Sequence, residues 1–357
     1  MTSRTPAASA KTVTVAGGGA AADAWVRALR GIDGTTVGRL VGGTEDELLE
    51  DLSRGDVDAI AFVTPVPDLP RAIKRAVMAG RDVLVTTPAA LVSKQLNALA
   101  ELAERRGRVI LFDTGSLGDE RLTFVRKMTT GPQALWRTRY IRSLRTGVHG
   151  ACTLDELAMV DIATVLTIAG GLPSLIAGVA PRVDDESGVA DVAMVTLSFD
   201  GGPVARVDVS LVEPVLRQEI VIACDGRSVV LDALDARAPL QIQANARHRG
   251  PHADGQWSET ISEHPVGEAT DRLARAAAMF MTAVCERDIG ATNAGELASA
   301  AQVWQTARAS ISRGGEPLSL ADAGQPAGVR RPVLQLIHGG GHRSDAPLPE
   351  LTLVVSR

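Results

Sequence analysis

The chain has 357 residues, enough for two hydrophobic cores, and its 45% hydrophobic and 22% charged residues are typical of a globular protein. Its net charge of −5 gives no basis for expecting nucleic acid as a partner, because no basic stripe with interleaved aromatic residues occurs. The three cysteines are widely spaced and form no metal-ligand pattern, which indicates a reduced, cytoplasmic setting and predicts no metal site. No secretory signal and no apolar stretch of about 18 residues occur, so no membrane segment is expected.

Strand and helix signals alternate through the first third of the chain. Short apolar runs predict strands at 13–16, 37–41, 58–63, 82–85 and 108–112. Segments with helical spacing predict helices at 20–30, 45–52, 69–79 and 93–106. Strands that alternate with helices of this length form βαβ units around a parallel sheet. The strands are largely apolar, as strands buried on both faces of a sheet must be.

The pattern changes near residue 131, where polar and apolar residues begin to alternate. Strands are predicted at 135–142, 191–199, 204–211 and 219–223, with a hairpin turn at 200–203. Helices are predicted at 153–169, 270–287 and 295–312. This order predicts a mostly antiparallel sheet with helices packed on one face.

A glycine-rich turn joins the first predicted strand to the first predicted helix. It reads Gly17-x-Gly19-x-x-Ala22, the spacing of turns that bind the pyrophosphate of a dinucleotide. Gly17 permits the tight turn, Gly19 lets the backbone approach the phosphates, and Ala22 is small enough for helix–strand packing. The N–H groups of the helix start, from Ala20 onward, face the phosphates. The turn predicts NAD or NADP as cofactor, and the alternative is a Rossmann fold that has lost its cofactor.

The end of the second predicted strand leaves the choice between NAD and NADP open. An Asp or Glu at this position usually holds the ribose hydroxyls of NAD. Here the strand runs into Gly42-Gly43-Thr44, and no arginine obviously takes the place of the acid.

We therefore predict an α/β Rossmann N-terminal domain followed by an α+β C-terminal domain with a mostly antiparallel sheet. The predicted boundaries are a disordered lead-in at 1–10, a dinucleotide-binding domain at 11–130, a substrate and oligomerisation domain at 131–330, and a C-terminal extension at 331–357. The extension carries two apolar runs separated by a glycine-rich loop, which predicts an edge hairpin.

Two further segments carry a resemblance to a known family. Thr64-Pro65 follows the third predicted strand, and Thr86-Thr87-Pro88 follows the fourth. Together with the glycine turn, they resemble the Gfo/Idh/MocA family of NAD(P)-dependent oxidoreductases over nearly the full chain. The resemblance implies that Thr64, Pro65, Thr86 and Pro88 lie at the cofactor. It also implies a homo-oligomer, a dimer or tetramer, that pairs through the C-terminal sheet.

The chain departs from the family at the catalytic positions. Thr87 stands where the family's Glu-Lys-Pro segment has its lysine. The family's helix motif, Gly-x-x-x-Asp-x-x-x-His-x-x-Asp, matches 150–161, where Leu154 replaces the first aspartate, Ala158 replaces the histidine and Asp161 keeps the last aspartate. The lysines of the chain all lie elsewhere, at Lys11, Lys74, Lys94 and Lys127.

Three residues are candidates for the missing acid or base: Tyr140, His149 and Asp161. Tyr140 lies on the first strand of the C-terminal sheet, on a face expected to meet the cleft, or it is an ordinary strand aromatic. His149 precedes the helix, or it is an ordinary loop histidine. Asp161 lies in an otherwise apolar helix, where a carboxylate needs a partner or a polar cleft, unless it points outward. Asp155 is a further candidate, or a carboxylate that stabilises the helix start.

Other polar clusters have weaker interpretations. Four arginines crowd the strand and loop before the helix and either clamp a carboxylate or phosphate of the substrate or form a solvated face or an oligomer contact: Arg137, Arg139, Arg142 and Arg145. His248 and His252 have the spacing of a metal pair, but without an acidic or Cys partner nearby they are interpreted as loop residues.

The predicted function is the NAD(P)-dependent transfer of a hydride to or from a C–O or C=N centre of a small polar molecule, sugar-like or a secondary metabolite. One alternative is non-redox chemistry, such as elimination, isomerisation or cyclisation. The other is a non-catalytic binding subunit. Reduction of a polarised C=N bond asks less of a side-chain acid than oxidation of an alcohol asks of a base.

Overall fold

A computed structural model gives the fold of the chain. It describes residues 10–41, 55–64, 66, 68–86, 91–115, 117–147, 153–181, 190–235, 238–246, 258–264 and 272–322. The helix expected at 45–52, the C-terminal extension and all of the lead-in except Ala10 lie outside the described residues.

Five parallel strands form the first sheet, in the order β2-β1-β3-β4-β5. The strands are β1 (Lys11–Ala16), β2 (Thr35–Val41), β3 (Ala59–Phe62), β4 (Asp82–Val85) and β5 (Ile110–Phe112). All residues of β3, β4 and β5 are buried, as expected of strands covered on both faces. The chain adds β2 on one side of β1 and the later strands on the other, so the strand order reverses between β1 and β3. Ligands of such sheets bind in the crevice at the carboxyl ends of these two strands.

Helices cover both faces of the parallel sheet: α1 (Gly19–Arg30), α2 (Leu69–Met78), α3 (Ser93–Arg106) and α4 (Glu120–Thr129). On the α1 side, Trp25 is buried beside Val13 and Val15. On the opposite side, Ile73 of α2 and Leu96 of α3 are fully buried in the larger core cluster. The predicted Rossmann-like architecture is confirmed for the described strands.

Eight strands form the second sheet, in the order β13-β12-β11-β10-β6-β9-β8-β7. They are β6 (Thr138–Thr146), β7 (Leu175–Val179), β8 (Val192–Ser198), β9 (Val204–Ser210), β10 (Gln218–Cys224), β11 (Arg227–Asp232), β12 (Leu240–Ala246) and β13 (Ser258–His264). Neighbouring strands are antiparallel except β6 and β9, which are parallel, so the predicted mostly antiparallel sheet is confirmed. The predicted hairpin joins β8 to β9, whereas the sequence analysis missed β7, β11, β12 and β13.

Helix α5 (Leu154–Ala169) packs on one face of the second sheet, which we call the inner face. Its start is a capping box, in which the Glu156 N–H donates to Thr153 Oγ1 (3.2 Å) and the Thr153 N–H donates to Glu156 Oε2 (2.7 Å). Alternate residues of β6 point to opposite sides. Ile141 and Ser143 are fully buried on the inner face, and half-exposed residues occupy the opposite, outer face.

Two late helices, α6 (Arg272–Glu286) and α7 (Ala294–Ser312), pack against different parts of the molecule. Helix α7 contacts α3, α5 and β7, and so lies between the two sheets. Helix α6 packs on α1, where Phe280 is fully buried in one cluster with Val13 and Trp25. The sequence predicted both late helices on the second sheet. The apolar face of α6 instead completes the helical layer beside α1.

Side chains that follow α6 cover the edge of the parallel sheet at β5. Asn293 Oδ1 accepts a hydrogen bond from the Phe112 N–H (2.8 Å), and Asn293 Nδ2 donates to the Phe112 carbonyl (2.8 Å). Thr292 Oγ1 accepts from the Ile110 N–H (3.2 Å). These bonds satisfy backbone groups that an edge strand would otherwise leave unpaired.

A buried arginine fixes α4 against the second sheet. Arg121 is 2% exposed and pairs with Asp119 (2.8 Å between Nη2 and Oδ2). Its Nη1 donates to three backbone carbonyls in the segment that runs from the end of β11 to the start of β12: those of Asp232, Asp235 and Ala238. The two sheets are therefore held together by a polar contact as well as by apolar packing.

The helices of the described residues include no candidate membrane span, since none combines sufficient length with sufficient apolar character.

A buried ion pair joins α5 to the inner face of the second sheet. Asp161 is 1% exposed, and its Oδ1 accepts from Arg145 Nε at 2.6 Å. Its Oδ2 accepts from Ser143 Oγ at 2.9 Å. Burial raises the pKa of Asp161, and the Arg145 charge and the two hydrogen bonds oppose this rise without cancelling it.

We predict that Asp161→Ala lowers the free energy of unfolding by about 3–5 kcal/mol at neutral pH, because it leaves the Arg145 charge without its partner. Asp161→Asn keeps the size of the side chain and an acceptor for Ser143, so its loss is smaller. The raised pKa means that the folded state binds the Asp161 proton more tightly than the unfolded state. The stability of the wild type relative to Asp161→Asn is therefore greatest below the ordinary pKa of 3.8 and falls as pH rises through the raised value.

Urea unfolding at a series of pH values measures both effects. Asp225→Ala is the matched control, because the Arg139–Asp225 pair has similar contact distance but is about half exposed, and we expect a loss of at most about 1 kcal/mol. Equal losses of unfolding free energy in Asp161→Ala and Asp225→Ala would show that the buried pair stabilises the fold no more than the exposed pair does.

Candidate functional site

Three predicted cofactor residues meet at the carboxyl edge of the parallel sheet. The Val63 N–H donates to the Ala16 carbonyl (3.0 Å), and the Thr86 N–H donates to the Phe62 carbonyl (2.9 Å). The ends of β1, β3 and β4 are therefore adjacent, and the residues that follow them lie side by side at the point where the strand order reverses: Gly17, Thr64 and Thr86.

Gly17 occupies a position that a side chain cannot share. Its φ is +144°, and a Cβ atom placed on it would lie 2.6 Å from Thr64 Oγ1 and 2.9 Å from Val63 Cγ2. The turn therefore passes directly against the end of β3. This contact explains the glycine by packing between strands, in addition to the tight turn expected from the sequence.

The start of α1 is open beyond this contact. Gly18 is the N-cap residue, and it offers no side-chain hydrogen bond to the first helical N–H groups. Gly19 has φ +73°, and no atom of the described residues lies within 4 Å of where its Cβ would be. Ala20 is exposed, whereas Ala22 is fully buried against the sheet. Free N–H groups at a helix start form a site for an anion such as a pyrophosphate.

Several predicted site residues lie outside the described residues: Pro65, Thr87, Pro88, His149 and the 42–44 segment. Their roles at the cofactor or in catalysis stay predictions. His248 and His252 also lie outside the described residues. Within the described ranges, no group of three or more His, Cys, Asp or Glu side chains is arranged to hold a metal ion.

Asp155 is directed toward α7. Its Oδ1 accepts from Trp304 Nε1 (2.8 Å), and its Oδ2 accepts from Arg308 Nη1 (3.3 Å). Asp155 also lies in the first turn of α5, where the helix dipole favours a carboxylate. This arrangement fits the interpretation of Asp155 as a residue that stabilises the helix start.

Asp161 and Tyr140 lie on opposite sides of the second sheet. Asp161 is buried on the inner face with Ser143 and Arg145, so the alternative that it points outward is wrong. Tyr140 alternates with the buried Ile141 and therefore lies on the outer face of the sheet. The structure does not bring these two candidates together, so they cannot act on one substrate as a pair.

Three of the four arginines before α5 have carboxylate partners in the structure. Arg139 pairs with Asp225 through two hydrogen bonds (2.6 and 3.1 Å), which lower the pKa of Asp225. Arg142 pairs with Glu219 at 2.6 Å across the outer face. Arg145 alone contacts the buried Asp161 on the inner face. Arg139, Arg142 and Arg145 therefore bind three different carboxylates, and only the carboxylate bound by Arg145 is buried.

Sequence reasoning missed two polar contacts. Ser143 donates to Asp161 on the second sheet, and Asp113 binds Arg272 at the carboxyl end of β5 in the parallel sheet. Ser143 and Arg145 are polar at inward positions of β6, and this break in the alternation is the signal that predicts a buried polar contact. Asp113 follows β5 and is 5% exposed, and Arg272 Nη1 donates to both of its oxygens (3.0 and 3.1 Å). Nothing in the local pattern around Arg272 indicates this long-range pair.

No protein-family profile and no curated protein sequence matches the chain significantly. Solved structures do match its fold. UDP-N-acetylglucosamine 3-dehydrogenase GnnA from Acidithiobacillus ferrooxidans matches with a TM-score of 0.69 and 18% identity, over 84% of this chain and 97% of that one. GenD2 from gentamicin A biosynthesis, solved in complex with NAD, matches with a TM-score of 0.68 and 16% identity, over 89% and 99%.

A third match is a putative myo-inositol dehydrogenase from Sinorhizobium meliloti 1021, with a TM-score of 0.67 and 14% identity, over 87% of this chain and 99% of that one. At identities of this size, the likeness establishes the fold. The chain shares the fold of these three structures along nearly their whole length.

Proposed function

We propose that the chain is an NAD(P)-dependent oxidoreductase that transfers a hydride to or from a C–O or C=N centre of a small polar, sugar-like or secondary-metabolite substrate. The observation that carries this proposal is the open glycine turn at the reversal of strand order, where Gly17 passes against Thr64 and leaves the start of α1 uncapped. Two of the structural neighbours are named as dehydrogenases and a third, GenD2, is solved in complex with NAD, which supports the same class of reaction.

The described residues fit a dinucleotide at this edge. The N–H groups of Gly19 and Ala20 would hold the pyrophosphate, and Ala22 would keep α1 close to the sheet. Thr64 and Thr86, at the ends of β3 and β4, would lie toward the nicotinamide half. The bound nicotinamide would supply or accept the hydride. In this proposal 11–130 forms the nucleotide-binding domain and 131–330 the substrate domain, in a protein of the cytoplasm.

Acid–base chemistry is the open part of the proposal. Thr87 stands where the resembling family has a lysine, and a threonine hydroxyl does not titrate near neutral pH. Tyr140, His149 and Asp161 stay candidates for the acid or base, of which Asp161 would act through Arg145 because it is buried. Reduction of an already polarised C=N bond suits a site with a weak acid better than alcohol oxidation does.

The same observation favours a second candidate function, a nucleotide-retaining protein that catalyses elimination, isomerisation or cyclisation. A non-catalytic binding subunit is the third possibility. Tight nucleotide retention without nicotinamide absorbance change on substrate would indicate the second function. Absence of nucleotide binding would indicate the third, and steady NAD(P)H consumption supports the main proposal.

Gly19→Ala tests the nucleotide site. Because the space around Gly19 is open, we expect the variant to fold, with a loss of about 1 kcal/mol from the left-handed backbone. Its methyl group would occupy the approach to the phosphates. We predict that the dissociation constants of NAD(H) and NADP(H), measured by titration calorimetry, rise at least about tenfold, which is about 1.4 kcal/mol.

Gly34→Ala is the matched control. Gly34 has a similar φ of +76° and the same open surroundings, but it precedes β2 at the opposite edge of the sheet. It should lose similar stability and keep the wild-type affinity. Unchanged nucleotide affinity in Gly19→Ala would show that the proposed cradle is wrong.

The outer face of the second sheet supports the proposed homo-oligomer. Half-exposed apolar residues on three adjacent strands lie among the ion pairs of this face: Leu144, Val221 and Val230. An apolar sheet face with interspersed charge pairs is suited to pairing with a second copy.

We predict that Val221→Lys lowers the mass measured by light scattering to that of one chain, 37.3 kDa, since a buried unpaired charge costs several kcal/mol at an interface. Met78→Lys, which places the same charge on an exposed site of α2, should keep the wild-type mass. A monomeric wild type, or an unchanged mass in Val221→Lys, would contradict pairing through this face.

A further inference from the structure

Arg145 is held in place by one edge of its guanidinium group. Its side chain is 15% exposed, and Nε donates to the buried Asp161 Oδ1 at 2.6 Å. The other oxygen of Asp161 accepts from Ser143. Since both carboxylate oxygens have fixed partners, Asp161 is a rigid anchor for the arginine.

Within the described part of the chain, the other edge of the guanidinium has no such partner. Among the described residues, no hydrogen bond involves Nη1 or Nη2 of Arg145. The other two arginines of β6 differ, because Arg139 and Arg142 each use an Nη2 atom in an ion pair. Arg121 uses both of its Nη atoms, on the Asp232 carbonyl and on the Asp119 carboxylate. An arginine keeps its charge at any ordinary pH, so Arg145 presents unused, charged donors.

The position of Arg145 makes these donors relevant to a ligand. Arg145 pairs with Gln218 at the end of the β6–β10 ladder, one residue before β6 ends. The next residue, Thr146, donates from Oγ1 to the Val215 carbonyl (2.7 Å), and Val215 lies in an exposed loop. The guanidinium is therefore at the end of the sheet, on the inner face, with partial access to solvent.

We propose that Arg145 binds an anionic oxygen group of the substrate, a carboxylate or a phosphate, through Nη1 and Nη2. This inference rests on the proposed function in one respect, that the anion belongs to the substrate of the oxidoreductase. With Nε engaged by Asp161, the two Nη atoms remain for an end-on, bidentate contact. The anchor holds the side chain in one orientation before the anion arrives, which lowers the entropy cost of binding.

The test uses inorganic phosphate and acetate as probes on the full chain, without nucleotide. Because Nε–H of Arg145 is hydrogen-bonded and largely buried, its signal in a nitrogen–proton NMR spectrum can be followed during titration at constant ionic strength. Its assignment comes from its loss in Arg145→Lys. A saturable shift with phosphate, acetate or both is expected, and whichever probe binds more tightly identifies the anion class. Chloride should give no saturable shift.

Arg145→Lys keeps a positive charge beside Asp161 but lacks the two Nη donors of the guanidinium group. The affinity for phosphate or acetate, measured by calorimetry, should therefore fall at least tenfold. Truncating Arg145 alone would leave the buried Asp161 carboxylate without its partner. The double variant Arg145→Met with Asp161→Asn replaces the ion pair by two neutral side chains, so we expect it to fold and to lose phosphate or acetate binding. Arg139→Gln, which removes an exposed arginine paired with Asp225 rather than with Asp161, should bind the probes as the wild type does.

Nucleotide affinity is measured on the same variants. Wild-type affinity for NAD(H) together with lost anion binding supports the proposal. No saturable shift in the wild type, or anion binding that persists in both Arg145 variants, overturns it, even where nucleotide binds. Absence of nucleotide binding in the wild type would refute the proposed function and leave the anion site standing on its own measurement.

Discussion

The close passage of the first turn against the end of β3 is the constraint on which the candidate site depends. A Cβ atom at Gly17 would lie 2.6 Å from Thr64 Oγ1, so the chain can make this contact only with glycine. The contact sets where α1 begins, and the start of α1 is left without a side-chain cap. An anion bound by these N–H groups would lie at the carboxyl edge of the parallel sheet, the edge at which Thr64 follows β3 and Thr86 follows β4.

Much of the fold could be predicted from periodicity. Apolar runs of the right length predicted the five strands of the parallel sheet, because strands buried on both faces need no alternation. The glycine turn was predicted with its context, a strand before it and a helix after it. In the second sheet, the four strands with the clearest pattern were found and four others were missed. The structure corrected the expected strand at 135–142 to Thr138–Thr146.

Partners distant in sequence could not be predicted. The apolar face of α6 fits either sheet, and only its packing on α1 through Phe280 decides between them. Likewise, the strand pattern of β6 shows which residues share a face but not which face a helix covers. The sequence therefore could not show that Tyr140 and Asp161 lie on opposite sides of the sheet, nor separate Arg145 from Arg139 and Arg142.

The edge contact of Asn293 with β5 has a consequence for synthesis of the protein. Residues of the parallel sheet leave the ribosome first, yet its last edge is closed by Thr292 and Asn293, and one of its faces is covered by α6. Until those residues emerge, the nascent sheet has an unpaired strand edge at β5 and an uncovered apolar face. The parallel sheet therefore stays open to chaperones and to unwanted association until residues 272–293 have been translated.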